Sequence, residues 1–270
     1  MTTTSSDFLQ RIADDRRRRV EEAKLRVPGY VLRARIGQPR PAGRLERALR
    51  RGGSRGPIRL LCEVKRASPS KGMLQSDVDP VALARTYEQG GAAAVSLVTE
   101  PDHFRGDPAW VDAVRPAIAI PILMKDFVID SWQLLDAAVR GADGVLLLAA
   151  LLSEIQTQRL ITEALLIGLD CLVEVHDGIE LQRALKAGAT LVGINNRDLH
   201  TFAVDPETAA RLMPEVPPLV TGVAESGISV PADLARLRAT RCDAALVGEA
   251  LMTSPDPAAT LSSLIAAAKG

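Results

Sequence analysis

The sequence predicts an α/β chain folded as a (β/α)8 barrel, the TIM-barrel architecture, with an N-terminal helical extension. Three observations carry that prediction. From Ile58 onward, eight short runs rich in Val, Ile, Leu and Ala alternate with eight longer segments of helical period. The first of these runs, Ile58 to Cys62, is apolar enough to be buried on both faces, as strands of a parallel sheet are. Charged and amide residues recur at the C-terminal ends of the runs, where a closed barrel of this kind keeps its chemistry. Residues 1–57 read as a helical extension and connector and residues 58–270 as the barrel, in one domain overall. A doubly wound open sheet is the runner-up, and no early turn carries the G-x-G-x-x-G fingerprint that its dinucleotide-binding form needs.

Taken in order, residues 5–24 have the pattern of a helix capped by Ser5 or Ser6, with the run Arg16-Arg17-Arg18-Arg19 inside it. Acids surround the run and no aromatic residues interleave for stacking, so it reads as a solvated helix face rather than a nucleic-acid surface. Residues 36–57 are rich in Gly, Pro and Arg and form a connector, with a short helix at Leu45–Arg50. Strands are predicted to start near Ile58, Ala92, Ile120, Asp143, Asp170, Thr190, Pro218 and Asp243. Helices are predicted near 80–89, 108–115, 131–140, 154–167, 179–186, 206–212, 231–238 and 257–269. Gly90-Gly91, Gly141, Gly168 and Gly188 lie just past helix ends, where a left-handed cap is wanted. Prolines at 80, 108, 206, 231 and 257 lie near helix starts, where a missing N–H costs least.

Composition bounds the function classes. With 270 residues, 47% of them hydrophobic, the chain can bury a large core, and only 3% aromatic content makes that core aliphatic. Basic and acidic residues number 33 each, so no net charge draws the chain to nucleic acid or a membrane surface. Cys62, Cys171 and Cys242 are far apart and form no CxxC pair, which argues for buried thiols in a reducing cytoplasm rather than disulfides or zinc. The longest unbroken apolar run, Val145 to Leu152, has eight residues against the roughly 20 of a membrane helix. The N-terminus lacks the apolar stretch of a signal peptide. A cytoplasmic monomer is expected, with weak self-association as the alternative.

The chemistry is sought at the ends of the strands. Glu63 and Lys65 lie two residues apart and so project from one face of the first strand. A structural ion pair is one reading of them. The third strand ends in Lys125, the fifth in Glu174, the sixth in Asn195-Asn196-Arg197, the seventh in Glu225-Ser226-Gly227 and the eighth in Gly248. Lysines and glutamates around one mouth can protonate a carbonyl or hydroxyl oxygen while carboxylates stabilise developing positive charge. Gly227 and Gly248 suit a phosphate gripped by backbone N–H groups, with Lys65 supplying a cation, which favours a phosphorylated small-molecule substrate. His103, His176 and His200 have no metal-ligand spacing and read as surface or loop residues, though His176 would share the inner face with Glu174 if the fifth strand runs long. Ser68 and Ser226 lack a neighbouring His–Asp pair and read as hydrogen-bonding residues.

Seven ordered motifs then resemble the indole-3-glycerol-phosphate synthase family of tryptophan biosynthesis over nearly the whole length. They run from Glu63-Val-Lys-Arg-Ala-Ser-Pro-Ser-Lys-Gly72 through Thr99-Glu100 with Phe104-Arg-Gly106, Pro121-Ile-Leu-Met-Lys-Asp-Phe127 and Leu172-Val-Glu174. They continue with Gly193-Ile-Asn-Asn-Arg-Asp-Leu199, Ala224-Glu-Ser-Gly-Ile228 and Val247-Gly-Glu-Ala-Leu-Met252. The resemblance implies conversion of 1-(2-carboxyphenylamino)-1-deoxyribulose 5-phosphate into indole-3-glycerol phosphate, with release of carbon dioxide and water and without metal or organic cofactor. It implies Lys125 as general acid, Glu63 and Glu174 as catalytic carboxylates, and Lys65 as an anion binder that also serves the departing hydroxyl. Asn195 and Ser226 would orient the substrate with Arg197 and Ser68 close by, and Glu225 falls among the binding residues. Gly227, Gly248 and the Glu249 backbone would grip phosphate, and Phe104 and Phe127 would wall the aromatic ring.

Two positions depart from that pattern. Glu249 stands where some members have Ser or Thr, so its carboxylate is expected to point away from the phosphate. Leu45 stands where an aromatic residue is common, which puts the packing of an N-terminal lid in question. Related phosphate-binding barrels, such as phosphoribosylanthranilate isomerase or the tryptophan synthase α subunit, would not need the set Glu63, Lys65 and Lys125. A non-catalytic barrel that uses the Arg16 to Arg19 helix for binding is the reading from another class. Ending after one barrel, the chain is expected to be monofunctional.

Overall fold

The computed structural model describes residues 6–38, 41–53, 56–199 and 201–270. Three helices, α1 (Ser6–Arg26), α2 (Gly29–Ile36) and α3 (Arg44–Leu49), precede the first strand. The barrel strands are β1 (Arg59–Val64), β2 (Ala94–Val98), β3 (Ile122–Lys125), β4 (Gly144–Leu148), β5 (Asp170–Val175), β6 (Leu191–Asn195), β7 (Thr221–Glu225) and β8 (Ala244–Val247). Each pairs in parallel with its sequence neighbours, and β1 closes the cylinder on β8 through the register Arg59↔Ala244 to Cys62↔Val247. The helices between strands are α4 (Pro80–Gln89), α5 (Ala109–Val114), α6 (Ser131–Arg140), α7 (Glu154–Leu166), α8 (Gly178–Lys186), α9 (Glu207–Leu212) and α10 (Pro231–Arg238). After β8 come a one-turn helix α11 (Glu249–Met252) and α12 (Pro257–Lys269).

All eight strands and eight of these helices fall where the hydrophobic pattern puts them, with the closed sheet rather than the open one. Besides the one-turn helix α11, two pieces escaped the sequence reading. The chain after β1 doubles back in a short hairpin, Ala67–Ser68 against Gly72–Met73, which holds Ser68 at the rim. Helix α2 is the other: Pro28 caps it without a side-chain bond and only Leu32 is buried along it, so neither periodicity nor capping announces it. The Ser5 half of the expected α1 cap lies outside the described residues, as does His200.

The extension works on both ends of the barrel. At the floor, Leu45 and Leu49 of α3 are fully buried against Leu61, Leu123, Leu172, Leu191 and Val223 of the strands. The N-terminus of α3 is satisfied from outside the helix. The Asp170 carboxylate, at the start of β5, accepts from the backbone N–H of Leu45 at 2.7 Å and of Glu46 at 3.0 Å. A carboxylate at a helix N-terminus meets both the unpaired donors and the dipole there. Asp143 takes Arg44 at 2.6 Å, and Asp243 accepts from the Arg51 N–H at 3.1 Å. The aspartates that open three strands are thus clamps for the plug beneath them.

At the mouth, α1 lies across the opposite end. Leu9, Ile12, Ala13, Arg16 and Val20 share one helical face and are all buried. That corrects the reading of the arginine run as a solvated face. Arg16, 8% exposed, pairs with the buried Asp126 at 3.0 Å, and Arg19 pairs with Asp102, while Arg17 and Arg18 stay in solvent beside Asp14 and Asp15. The signal was present in the spacing, since Arg16 falls four residues after Ile12 and four before Val20. Among the described residues no helix is long and apolar enough to cross a membrane.

Candidate active site

Because every parallel strand delivers its last residues to the same end, the strand ends converge beneath α1 around one cavity. Of the expected site residues, Glu63, Lys65, Ser68, Phe104, Lys125, Phe127, Glu174, Asn195, Arg197, Ser226, Gly227, Gly248 and Glu249 all line it. Glu225 does not. It lies 1% exposed beneath Lys125, so its expected place among the substrate-binding residues becomes that of a buried counter-ion. The reading of Glu63 and Lys65 as an ion pair also holds, at 2.7 Å, within the larger cluster.

Lys125 Nζ lies 3.3 Å from Glu63 Oε2 and 3.2 Å from Glu225 Oε2. Burial disfavours its ammonium, but Glu63, Glu225 and Glu174 outweigh that and hold it well above the ordinary lysine range. Burial likewise opposes ionisation of Glu63, yet Lys125 and Lys65 bring its carboxyl down to about 2. Glu174 is held below the usual carboxylate range against its burial by His176, Lys125 and the Asn195 amide, which donates to Oε1 at 2.9 Å. Glu225 moves the other way, raised by burial and by its neighbours Glu174 and Glu63 in spite of Lys125. Gly193 on β6 makes room for it, since a Cβ there would lie 2.0 Å from Glu225 Oε1. The cluster therefore presents one charged ammonium among three buried carboxyl groups, with Glu63 and Glu174 held ionised and Glu225 more easily protonated than either.

The rim is built from loops. Ser226 and Gly227 both take left-handed backbone, at φ 62° and 72°, turning successive N–H groups at the end of β7. Asn196 ties this turn down, donating to the Ser226 carbonyl at 2.9 Å. Gly248 is a close approach: a Cβ there would lie 2.4 Å from Glu63 Oε1. Glu249 does not point away from the cavity. It lines the rim, with Lys71 at 3.4 Å and Arg197 at 3.9 Å as partners. On the other side, the Glu100 carboxylate accepts from the N–H groups of Asp102, His103 and Phe104, and the Phe104 and Phe127 rings stand 5.9 Å apart at 45°. The cavity thus sets an apolar wall of Phe104 and Phe127 beside the charged cluster of Lys65, Lys125, Glu63 and Glu174.

A family model for indole-3-glycerol phosphate synthase matches residues 9–264. The chain belongs to this family. The enzyme of that name from Carboxydothermus hydrogenoformans is 40% identical over 264 residues, covering 96% of this chain and all of its own. Indole-3-glycerol phosphate synthase 1 of Streptomyces coelicolor is 45% identical, covering 96% and 95%. The Parafrankia enzyme is 48% identical over 233 residues, covering 86% and 84%. Among solved structures, KGPDC from Streptococcus mutans superimposes with a TM-score of 0.61 over 79% of this chain and 98% of its own, at 12% identity, a likeness of fold alone. In the indole-3-glycerol phosphate synthase frame, Leu45 is a floor residue rather than part of a lid, so the departure there bears on stability and not on closure over substrate.

Sequence reasoning missed several neighbours of the site. Leu9 reaches the cavity from α1, and Phe202 and Leu199 from the loop after β6, all apolar residues in segments without strand-end signals. His103 is no free surface residue, since it sits 3.3 Å from Asp15 of α1. His176 is corrected more sharply: its side chain is 14% exposed and lies 3.2 Å from Glu174.

Proposed function

We propose that this cavity carries out the ring closure of the indole-3-glycerol phosphate synthase reaction with Lys125 as general acid. The carrying observation is the Lys125 ammonium, held charged between Glu63 and Glu225 with Glu174 beside it. In the reaction of 1-(2-carboxyphenylamino)-1-deoxyribulose 5-phosphate, the aryl carbon bearing the carboxylate attacks the ketose carbon. The new carbon–carbon bond forms as Lys125 gives its proton to the carbonyl oxygen. Carbon dioxide then leaves, returning its bonding electron pair to the ring. Loss of the hydroxyl as water, with removal of a proton, completes the indole.

Ionised Glu63 and Glu174 face the cationic intermediate and stabilise it, and they accept and return protons during dehydration. Lys65, paired with Glu63, is placed to bind a substrate anion and to serve the departing hydroxyl. Backbone N–H groups at Gly227, Gly248 and Glu249 grip the phosphate, Asn195, Ser226, Arg197 and Ser68 orient the sugar, and Phe104 and Phe127 hold the ring. Residues 1–57 act with the barrel as one catalytic unit, because α1 roofs the cavity and α3 closes the floor. We place the protein in the cytoplasm, a reading supported by three buried free thiols, and take it to act as a monomer.

The test is incubation of purified protein with the carboxyphenylamino-ribulose phosphate while following indole fluorescence. Appearance of the indole signal supports the reading, and its absence with folded protein ends it. Glu174→Gln is expected to lower turnover about 100-fold with little change in affinity for a phosphorylated substrate analogue, because the lost charge acts on the transition state. A large rise in the binding constant at normal turnover would contradict the assignment.

A further inference from the structure

Two residues beyond Glu174, the chain places His176 on the same face just past the end of β5. The first turn of α8 then fixes the imidazole. Asp177 caps α8 by accepting from the Glu180 N–H at 2.8 Å, and the Glu180 side chain reaches back. Its Oε2 accepts from the His176 backbone N–H at 2.8 Å and lies 3.0 Å from His176 Nδ1. The other ring nitrogen, Nε2, stands 3.2 Å from Glu174 Oε1 as an ion-pair contact without aligned hydrogen-bond geometry, that oxygen being already engaged by Asn195. The three side chains are 5%, 14% and 15% exposed, from Glu174 through His176 to Glu180.

We propose that His176 is a positioning residue for the reaction: its imidazolium, oriented by Glu180, holds Glu174 ionised and aimed into the cavity. The inference rests on the proposed role of Glu174. A single ammonium, Lys125, serves three carboxylates at the mouth, and Lys65 is turned to Glu63. Glu174 is the member of the set that needs a second cation, and the loop after β5 supplies one. Glu174 is faced by Lys125 from β3, Asn195 from β6, Glu225 from β7 and His176. His176 is faced by Glu174 and Glu180, and against its burial these carboxylates raise it to about 10, so it stays charged across the neutral range. The motif Glu174-x-His176-Asp177-x-x-Glu180 encodes the arrangement in one segment: a charged pair on one face, then a helix cap that orients it.

The test compares His176→Gln, His176→Lys and Glu180→Gln with the unaltered enzyme. For His176→Gln, turnover at pH 7.5 is expected to fall about tenfold with KM within threefold. The acidic limb of the kcat profile should move up by about one pH unit, because a carboxylate without its cation protonates more easily. His176→Lys should bring the limb back toward the unaltered position, and Glu180→Gln should move it upward by less. A packing role alone would lower melting temperature and leave the limb in place. An unmoved limb in both His176→Gln and Glu180→Gln overturns the proposal, and if His176→Gln fails to fold, Glu180→Gln decides. Nitrogen-15 NMR of labelled histidine supplies a readout without turnover: His176 is expected to stay protonated at pH 8 and to titrate lower in Glu174→Gln. Titration near 6.5 in the unaltered protein would overturn the imidazolium even if turnover is normal, whereas absence of turnover with a persistent imidazolium would count against the proposed function instead.

Discussion

Replacing Lys125 with methionine is expected to cut turnover by at least about 1,000-fold while the cavity still binds a substrate analogue within about tenfold of the unaltered affinity. Methionine keeps much of the apolar stem and removes the proton donor, so the loss falls on the transition state rather than on binding. The carboxylates give a second reason for a large effect. Glu63 and Glu225 each lie 3.2–3.3 Å from the Lys125 ammonium, and without it Glu225 has lost its ion-pair partner. A buried carboxylate in that position takes up a proton, which further weakens the electrostatic support for a cationic intermediate. Single-turnover kinetics beside analogue binding checks the claim. Turnover within tenfold of normal would remove Lys125 from its assigned role.

Leu45→Ala is expected to produce the largest stability loss, about 3–5 kcal/mol, with activity at 25 °C nearly unchanged. The side chain is fully buried in the floor cluster, and truncation leaves a cavity that the surrounding strands cannot close without breaking their register. In a chain of this size that corresponds to a fall in melting temperature of roughly 5–9 °C. Activity is spared because the chemistry sits at the opposite end of the cylinder. Enlarging the side chain should fare no better. Leu45 Cδ2 packs where a Cβ on Gly144 would lie only 2.5 Å away, so Leu45→Phe overfills the site. Thermal denaturation of both variants, with activity measured alongside, tests the separation of floor from mouth. A large activity loss in folded Leu45→Ala would show that the two ends are coupled.

These expectations show how far residue patterns reach. Strand ends such as Lys125, Glu174 and Asn195 could be placed at one mouth because a parallel barrel sends every strand the same way, a rule that needs no coordinates. Glu225 shows the limit. It ends a strand like the others, but its depth depends on Gly193 of the neighbouring strand leaving room for it. Four arginines in a row conceal the helical stripe to which Arg16 belongs, and the buried Asp126 across the interface gives its charge a reason to be there. His176 carries its own local signature in the α8 cap, whereas its contact with Glu174 depends on where β5 stops.

Alternation of apolar runs with helical segments, the polar residues at the run ends and the glycine turns were enough to specify a closed parallel barrel and the mouth that holds its chemistry, since these follow from local periodicity and the direction of the strands. Packing in three dimensions decided the rest: which arginines are buried, that Asp143, Asp170 and Asp243 clamp a helical plug, and which carboxylate faces the cavity while another lies beneath the lysine. Those outcomes depend on distances between segments far apart in sequence, more than a hundred residues between Arg16 and Asp126 or Leu45 and Asp170, and burial and charge pairing are properties of such contacts rather than of any stretch of chain.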